Sequence, residues 1–320
     1  MTTTPAPIEL RKSRGFGEQI NVTFAFIREN YKKLGKCVLY ICGPPSILAG
    51  ILMGSNIFLI LNMLGDLESG GLSDSYGWMG LGFIGGTIVS LLASILMIAV
   101  VNHYVFLYME RGYDGFEFED VWAAAKGSIG KVFVTMLCLV LLLGALYLIW
   151  VGLALALGMF GVVLIVLLIP VMIYFSVALN PLFTVRLYED AGIGEAVSRS
   201  IELVKGNWWL TLGVVWIVSM VASFFASILA IPAYIVYMIA IFSAMENGGD
   251  LSGLSEYGVV ITVFITLYMV ASYLVNSVPL LASTLQYFNL VEKHEGVGMI
   301  DRIEQLGRDD EPGGLDTRGF

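Results

Sequence analysis

Hydrophobic and polar positions along this chain fall into long blocks rather than short alternations. Five stretches contain no Asp, Glu, Lys or Arg: Cys37–Gly65, Gly80–Met109, Val132–Val185, Gly206–Met245 and Tyr257–Val291. A helix of about 20 apolar residues crosses the roughly 30 Å hydrocarbon core of a bilayer. The third stretch is long enough for two crossings, with a turn at Gly158–Met159–Phe160–Gly161. The pattern therefore predicts an all-α membrane protein with six transmembrane helices. In the fifth span, the apolar run Trp208–Met245 makes about 57 Å of helix, nearly twice the core thickness. Pro232 lies within it, and a proline ring removes one helical hydrogen bond and crowds the preceding turn. A bend or break is expected there, with Ala233–Met245 running along the outer interface and Ser219, Ser223 and Ser227 forming the packing face before it.

Between the apolar blocks the period changes. Phe16, Ile20, Phe24, Ile27, Tyr31 and Leu34 fall on one stripe of a 3.6-residue helix, and Glu18, Arg28, Glu29, Lys32 and Lys33 fall off it. Such a helix suits the headgroup layer of a membrane. The pattern recurs: without a gap, Gly17–Glu18 lies over Gly194–Glu195, Ile20 over Val197, Phe24 over Ile201, Ile27 over Val204, Asn30 over Asn207 and Tyr31 over Trp208. A weaker middle copy places Glu119, Val121, Ala125 and Lys131 on the same positions, and Glu110, Glu189 and Glu292 close the even-numbered spans. The reading is one integral membrane domain over 1–307. It divides into three pseudo-repeated units of about 16–112, 117–190 and 193–296, each an amphipathic interface helix plus a two-span hairpin. A short terminal amphipathic helix over 297–307 and a disordered polar tail over 308–320 complete the chain.

Composition supports lipid as the solvent: of 320 residues, 58% are hydrophobic and 13% charged, against about 25% charged in a typical soluble domain. The net charge of −9 is sorted by side. All 17 Lys and Arg fall before span 1, after spans 2 and 4, and after span 6, and none falls in the intervening loops, which carry Asp66, Glu68, Asp74, Glu246, Asp250 and Glu256. Positive residues mark the cytoplasmic side, so both termini are expected in the cytoplasm of a bacterial plasma (inner) membrane. The polar segment before span 1 is unlike a cleavable signal, whose apolar run lies near the start.

Candidate chemistry is sparse. Cys37, Cys42 and Cys138 lie in apolar stretches without metal-ligand spacing and read as buried, space-filling thiols. His103 and His294 lack the partners of a triad or a paired zinc motif, and no ionisable group stands near mid-membrane, where coupled ion transporters keep them. Asn102, His103, Asn180 and Asn276 remain as an intramembrane polar site that a cavity between the hairpins would bring together. Gly82, Gly86, Ser90 and Ser94 in span 2 form a small-residue face suited to close helix packing.

FGEQINVTFAFIRENYKKLGK at the start, GEAVSRSIELVKGNWW in the middle and YFNLVEKHEGVGMIDRIEQLG near the end resemble a family of uncharacterised bacterial six-span membrane proteins. That family is similar to the membrane domain attached to some glycerophosphoryl diester phosphodiesterases, and the terminal motif resembles its Bacteroidetes members. The resemblance covers residues 9–307. It implies the six-span architecture and no catalytic residues, and the phosphodiesterase catalytic domain is not expected within these residues. The function expected is a non-enzymatic scaffold or assembly factor acting through its amphipathic helices and tail. The alternative is a transporter or flippase for lipid or another apolar solute. Membrane lipids and other membrane proteins are the expected partners, with no cofactor, no metal and no nucleic acid.

Overall fold

The computed structural model of the chain describes residues 8–69, 77–246, 257–296 and Ile300. The described residues form helices in the order α1 (Phe16–Ser69), α2 (Gly77–Arg111), α3 (Phe118–Ala156), α4 (Met159–Ala178), α5 (Leu182–Tyr188), α6 (Ile193–Val204), α7 (Trp208–Glu246) and α8 (Gly258–Glu295). Six helical stretches are long and apolar enough to cross a membrane, the fourth running from Val166 through α5. The chain is a multi-pass helical membrane protein. The helix and tail expected at 297–307 and 308–320 lie outside the described residues, apart from Ile300.

Three helices begin the same way. The backbone N–H of Gly15 donates to Glu18 Oε2 at 3.2 Å, that of Glu117 to Asp120 Oδ2 at 2.9 Å, and that of Gly192 to Glu195 Oε2 at 3.2 Å. A carboxylate reaching back this way occupies a donor that the helix leaves open, and it complements the positive end of the dipole. Past this first turn α1 and α6 diverge. Between α6 and α7 the chain turns through Gly206 at φ +84°, a left-handed conformation that a Cβ disfavours. No such residue interrupts α1. The amphipathic segment 16–35 is therefore not a helix separate from the first span. It is the opening of a single helix of 54 residues, about 81 Å long.

The prolines interrupt less than expected. Pro44, Pro45, Pro170, Pro232 and Pro279 all lie inside helices, and α7 continues through Pro232 without a break. Pro181 is the exception, because α4 stops at Ala178 and α5 restarts at Leu182. Neighbouring helices and local hydrogen bonds make prolines tolerable in membrane spans.

α1 packs chiefly on α8 and α2, and α7 packs on α8. Small residues set the closest approaches. A Cβ on Gly50 would lie 2.6 Å from Thr266 Cα, and one on Gly54 2.8 Å from Thr262 Cα, so the backbones of α1 and α8 nearly touch there. Gly82 lies against the Asn56 side chain and Gly86 against Met53, so the small-residue face of the second span packs within the bundle. The serine stripe of α7 does not. Val214, Val218 and Ala222 are buried, whereas Ser223 and Ser227 are exposed. Ser227 donates to the carbonyl of Ser223 at 2.8 Å, which satisfies its hydroxyl within the helix and removes the penalty for facing lipid.

The packed core gathers at the end of the molecule that carries the Lys and Arg residues, here the charged end. Phe26, Tyr104, Phe116, Leu182, Leu203, Leu281, Tyr287 and Phe288 are fully enclosed there. α3 joins this core through Val121, Ala125, Ser128, Val132 and Thr135; beyond Thr135 only Ala154 is buried, next to the turn into α4. Of the cysteines, Cys37 and Cys42 are buried, but Cys138 is exposed on α3, because it lies beyond the point where α3 leaves the core.

Candidate functional site: a buried polar seam and the grooves around it

The face that α1 turns inward shares only Leu34 with its apolar stripe. Phe16, Phe24 and Tyr31 are exposed, and Ile20 and Ile27 are half-buried. The buried positions are Gln19, Thr23, Phe26, Asn30 and Leu34, a second helical face rich in polar groups. Of these, Asn30 bonds to a polar residue of another helix, and α7 and α8 add further polar pairs at the same end. Tyr104 of α2 donates its hydroxyl to Asn30 Oδ1 at 2.9 Å. Gln286 of α8 donates to Thr211 Oγ1 of α7 at 3.1 Å, and Asn289 Nδ2 donates to Gln286 Oε1 at 3.1 Å. The N-terminal segment closes over this end, with the Arg14 backbone N–H donating to Asn289 Oδ1 at 2.8 Å and that of Ile8 to the Tyr108 hydroxyl at 3.0 Å.

Asn102 is the hub of the seam. Its Oδ1 accepts from Thr184 Oγ1 of α5 at 2.8 Å and from Thr284 Oγ1 of α8 at 3.2 Å, while its Nδ2 donates to the Ile98 carbonyl at 2.8 Å. Asn180 lies one step along α8, with Ser283 Oγ 2.8 Å from its Oδ1. Of the four residues proposed as an intramembrane site, these two belong to neighbouring parts of one network. His103 and Asn276 do not join them. His103 is half-buried edge-on to Phe106, with ring centroids 5.4 Å apart, and its Nε2 meets no hydrogen-bonding partner among the described residues. Asn276 is exposed and donates to the Ser272 carbonyl of its own helix at 2.8 Å.

An ionic group borders the seam. Arg199 of α6 reaches Glu189, Glu202 and Glu295, and the Tyr287 hydroxyl donates to Glu189 Oε1 at 2.7 Å. Burial works against the charge of Arg199, yet the Glu295 and Glu189 carboxylates together outweigh it and raise its pKa. Lys131 of α3 pairs with Asp190; this hydrogen-bonded ammonium holds the Asp190 carboxyl below its usual range. His294 Nε2 lies 3.0 Å from the Leu203 carbonyl.

Four grooves are described around the bundle, and none is lined by Asn102, His103, Asn180 or Asn276. One of about 530 Å³ lies under the N-terminal segment beside Tyr108 and Tyr188. Two flank Lys36 and Tyr40: about 550 Å³ towards Glu117 and Glu119 of α3, and about 450 Å³ towards α8. The fourth, about 370 Å³, is apolar and lies between Tyr234, Tyr237 and Tyr268 in the far half. Among the described residues no group of three or more His, Cys, Asp and Glu is placed to hold a metal ion.

Chemically the seam consists of amides and hydroxyls that bond mostly to one another or to helix carbonyls. Such an array fixes helix positions, and it contains no acid–base pair. Sequence reasoning singled out Asn102 because an amide in an apolar span is conspicuous. It overlooked Gln19, Thr23 and Asn30, whose helical spacing was the available signal, and Asn56, which is buried against Gly82. No protein-family model matches the chain, and no curated protein or solved structure matches it either.

Proposed function

We propose that this chain is a non-enzymatic scaffold or assembly factor of the bacterial plasma membrane, and that α3 and α4 receive the spans of another membrane protein. The observation that carries this reading is the bare flank of that hairpin. Tyr147, Leu148 and Ile149 are 58%, 69% and 66% exposed. A Cβ on Gly144 or Gly152 would meet nothing within 4 Å, whereas those on Gly50 and Gly54 would strike a neighbouring helix. Small residues in spans promote association by close approach; on α3 the approach is open. Asn102 Oδ1 and Asn180 Oδ1 accept hydrogen bonds from neighbouring helices and line none of the four grooves, which supports this reading over a transporter or flippase with a polar path through the bundle.

The three-unit repeat belongs to the same proposal. It is supported by the matching carboxylate caps and by shared burial: Gln19, Val121 and Ala196 are buried, as are Thr23, Ala125 and Ser200, and Phe26, Ser128 and Leu203. This burial favours a middle copy one residue later than the sequence alignment, with Asp120 rather than Glu119 beside Glu18. We place both termini in the cytoplasm on the Lys/Arg distribution. Cysteines replacing Ser73 and Gly249 should then react with an impermeant reagent outside intact cells, and one replacing Ser198 should not. Labelling at Ser198 refutes that orientation.

The partner is tested by placing a photo-crosslinking amino acid at Leu148, with Phe224 on the exposed face of α7 as the control. A discrete protein adduct in native membranes at Leu148, weakened by Gly144→Leu and missing at Phe224, is expected. Lipid adducts alone at both positions sink the proposal.

A further inference from the structure

We propose that the groove between α1 and α8 beside Lys32 and Lys36 binds a phospholipid with an anionic headgroup. The groove holds about 450 Å³ and is lined by Tyr31, Lys32, Lys36, Leu39, Leu274 and Val278, among others. α1 runs from the charged end towards the far end and α8 returns. The two lysines therefore stand at the mouth, with Leu39 and Leu274 deeper along the apolar surface. A cationic mouth above an apolar channel matches a phosphate with an acyl chain beneath it. A soluble phosphate would use the mouth alone.

Charge selects the sign of the headgroup. Among the described residues, neither Lys32 nor Lys36 has a carboxylate within ion-pair distance. Lys32 Nζ lies 5.7 Å from the Tyr31 ring centroid, and Lys36 Nζ lies 5.9 Å from that of Tyr40. Lys33, between them, turns away to donate to the Tyr113 carbonyl and to sit 3.9 Å over the Phe116 ring. On the other side of Lys36, the neighbouring groove is lined by Glu117 and Glu119. The α8-side groove has no acidic lining residue, so its cations face an uncompensated space. The tyrosine-lined groove in the far half has no cation and makes an internal contrast: it should not select headgroups.

The test uses the full chain in nanodiscs of phosphatidylcholine containing a minority of phosphatidylglycerol, with retained lipid counted by native mass spectrometry after transfer to mild detergent. The natural sequence is expected to retain phosphatidylglycerol over phosphatidylcholine. Lys32→Gln with Lys36→Gln should weaken that retention about thirty-fold, the equivalent of roughly 1 kcal/mol per surface lysine. Lys12→Gln with Lys126→Gln removes two cations outside the groove and should leave it unchanged. Val278→Trp fills the channel with the lysines intact and should also abolish retention, so the question stays answerable if the double lysine variant fails to fold. Equal retention of the two lipids overturns the proposal, as does retention indifferent to both Lys32/Lys36 and Val278. Displacement of the bound lipid by inorganic phosphate overturns it in favour of a soluble anion.

Discussion

The pair α1–α8 and the pair α3–α4 are made of the same material, long helices with few charges inside the apolar region, yet they are held in different ways. α1 and α8 approach so closely at Gly50 and Gly54 that no side chain fits between them. At the charged end, polar residues of both helices lie in a seam that also takes in α2, α5 and α7. α3 and α4 share a tight turn, where Ala154 meets Gly161, and α4 docks near its end by stacking Tyr174 on Trp208 of α7. Half of the most apolar stretch of α1 is buried inside the protein, against 11% in α3. In water an apolar helix left so bare would collapse onto its neighbours. In lipid no such force acts, because the tails are as apolar as leucine, and helices associate only where close packing or hydrogen bonds favour it. The first pair has both, and the second has neither along most of its length.

The strongest test of this contrast is to place the same bulk in each pair. Gly54→Leu should destabilise the protein by up to about 3 kcal/mol, because its side chain must displace the Thr262 backbone. Gly144→Leu should change stability by less than about 0.5 kcal/mol, as for an open surface site. Unfolding in mixed micelles, monitored by circular dichroism, measures both, and equal losses would erase the distinction. The next effect concerns the seam. Asn102→Leu removes the acceptor of Thr184 and should cost about 1–3 kcal/mol, the range for an unsatisfied buried group. Thr284 should lose less, since its hydroxyl also lies 3.1 Å from the Leu280 carbonyl. An unchanged melting temperature for Asn102→Leu would show that the seam contributes little to stability.

The smallest effect concerns the joint between the two regions, where Lys131 of α3 holds Asp190. The Asp190 carboxyl is depressed in the folded protein. Its pairing therefore contributes stability fully present above the ordinary aspartate value of 3.8 and lost as pH falls through the lower folded value. Lys131→Met should melt slightly below the natural sequence at neutral pH, and the two should converge in acid. Asp190 is largely and Lys131 partly solvent-exposed, so screening keeps the difference small. A gap that widens in acid would contradict the pairing.

The six spans were legible because length and the lack of charge suffice for them. The orientation of faces was not. The apolar stripe of α1 suggested an interfacial face, and Phe16, Phe24 and Tyr31 are exposed, but nothing in the spacing of that stripe announced that the interior would take Gln19, Thr23 and Asn30. The serines of α7 failed as a packing face, since a small hydroxyl bonded to its own helix is at home on either face. Asn102 was conspicuous alone, but its partners stand 82 and 182 residues away, and no local pattern joins them. The glycine spacing at Gly50–Gly54 was likewise present in the sequence, and it acquires meaning only when Thr262 and Thr266 arrive opposite.

The dependence of α1 on α8 sets a schedule for synthesis. The Arg14 backbone bonds to Asn289, 275 residues later, so α1 waits for α8. During that interval Arg14 is without Asn289, and the notch at Gly50 and Gly54 is vacant. A ribosome stalled before Gly258 would therefore leave an inserted but unclosed intermediate. Its open notch is the feature by which a membrane chaperone or protease would tell a copy without α8 from one that has it.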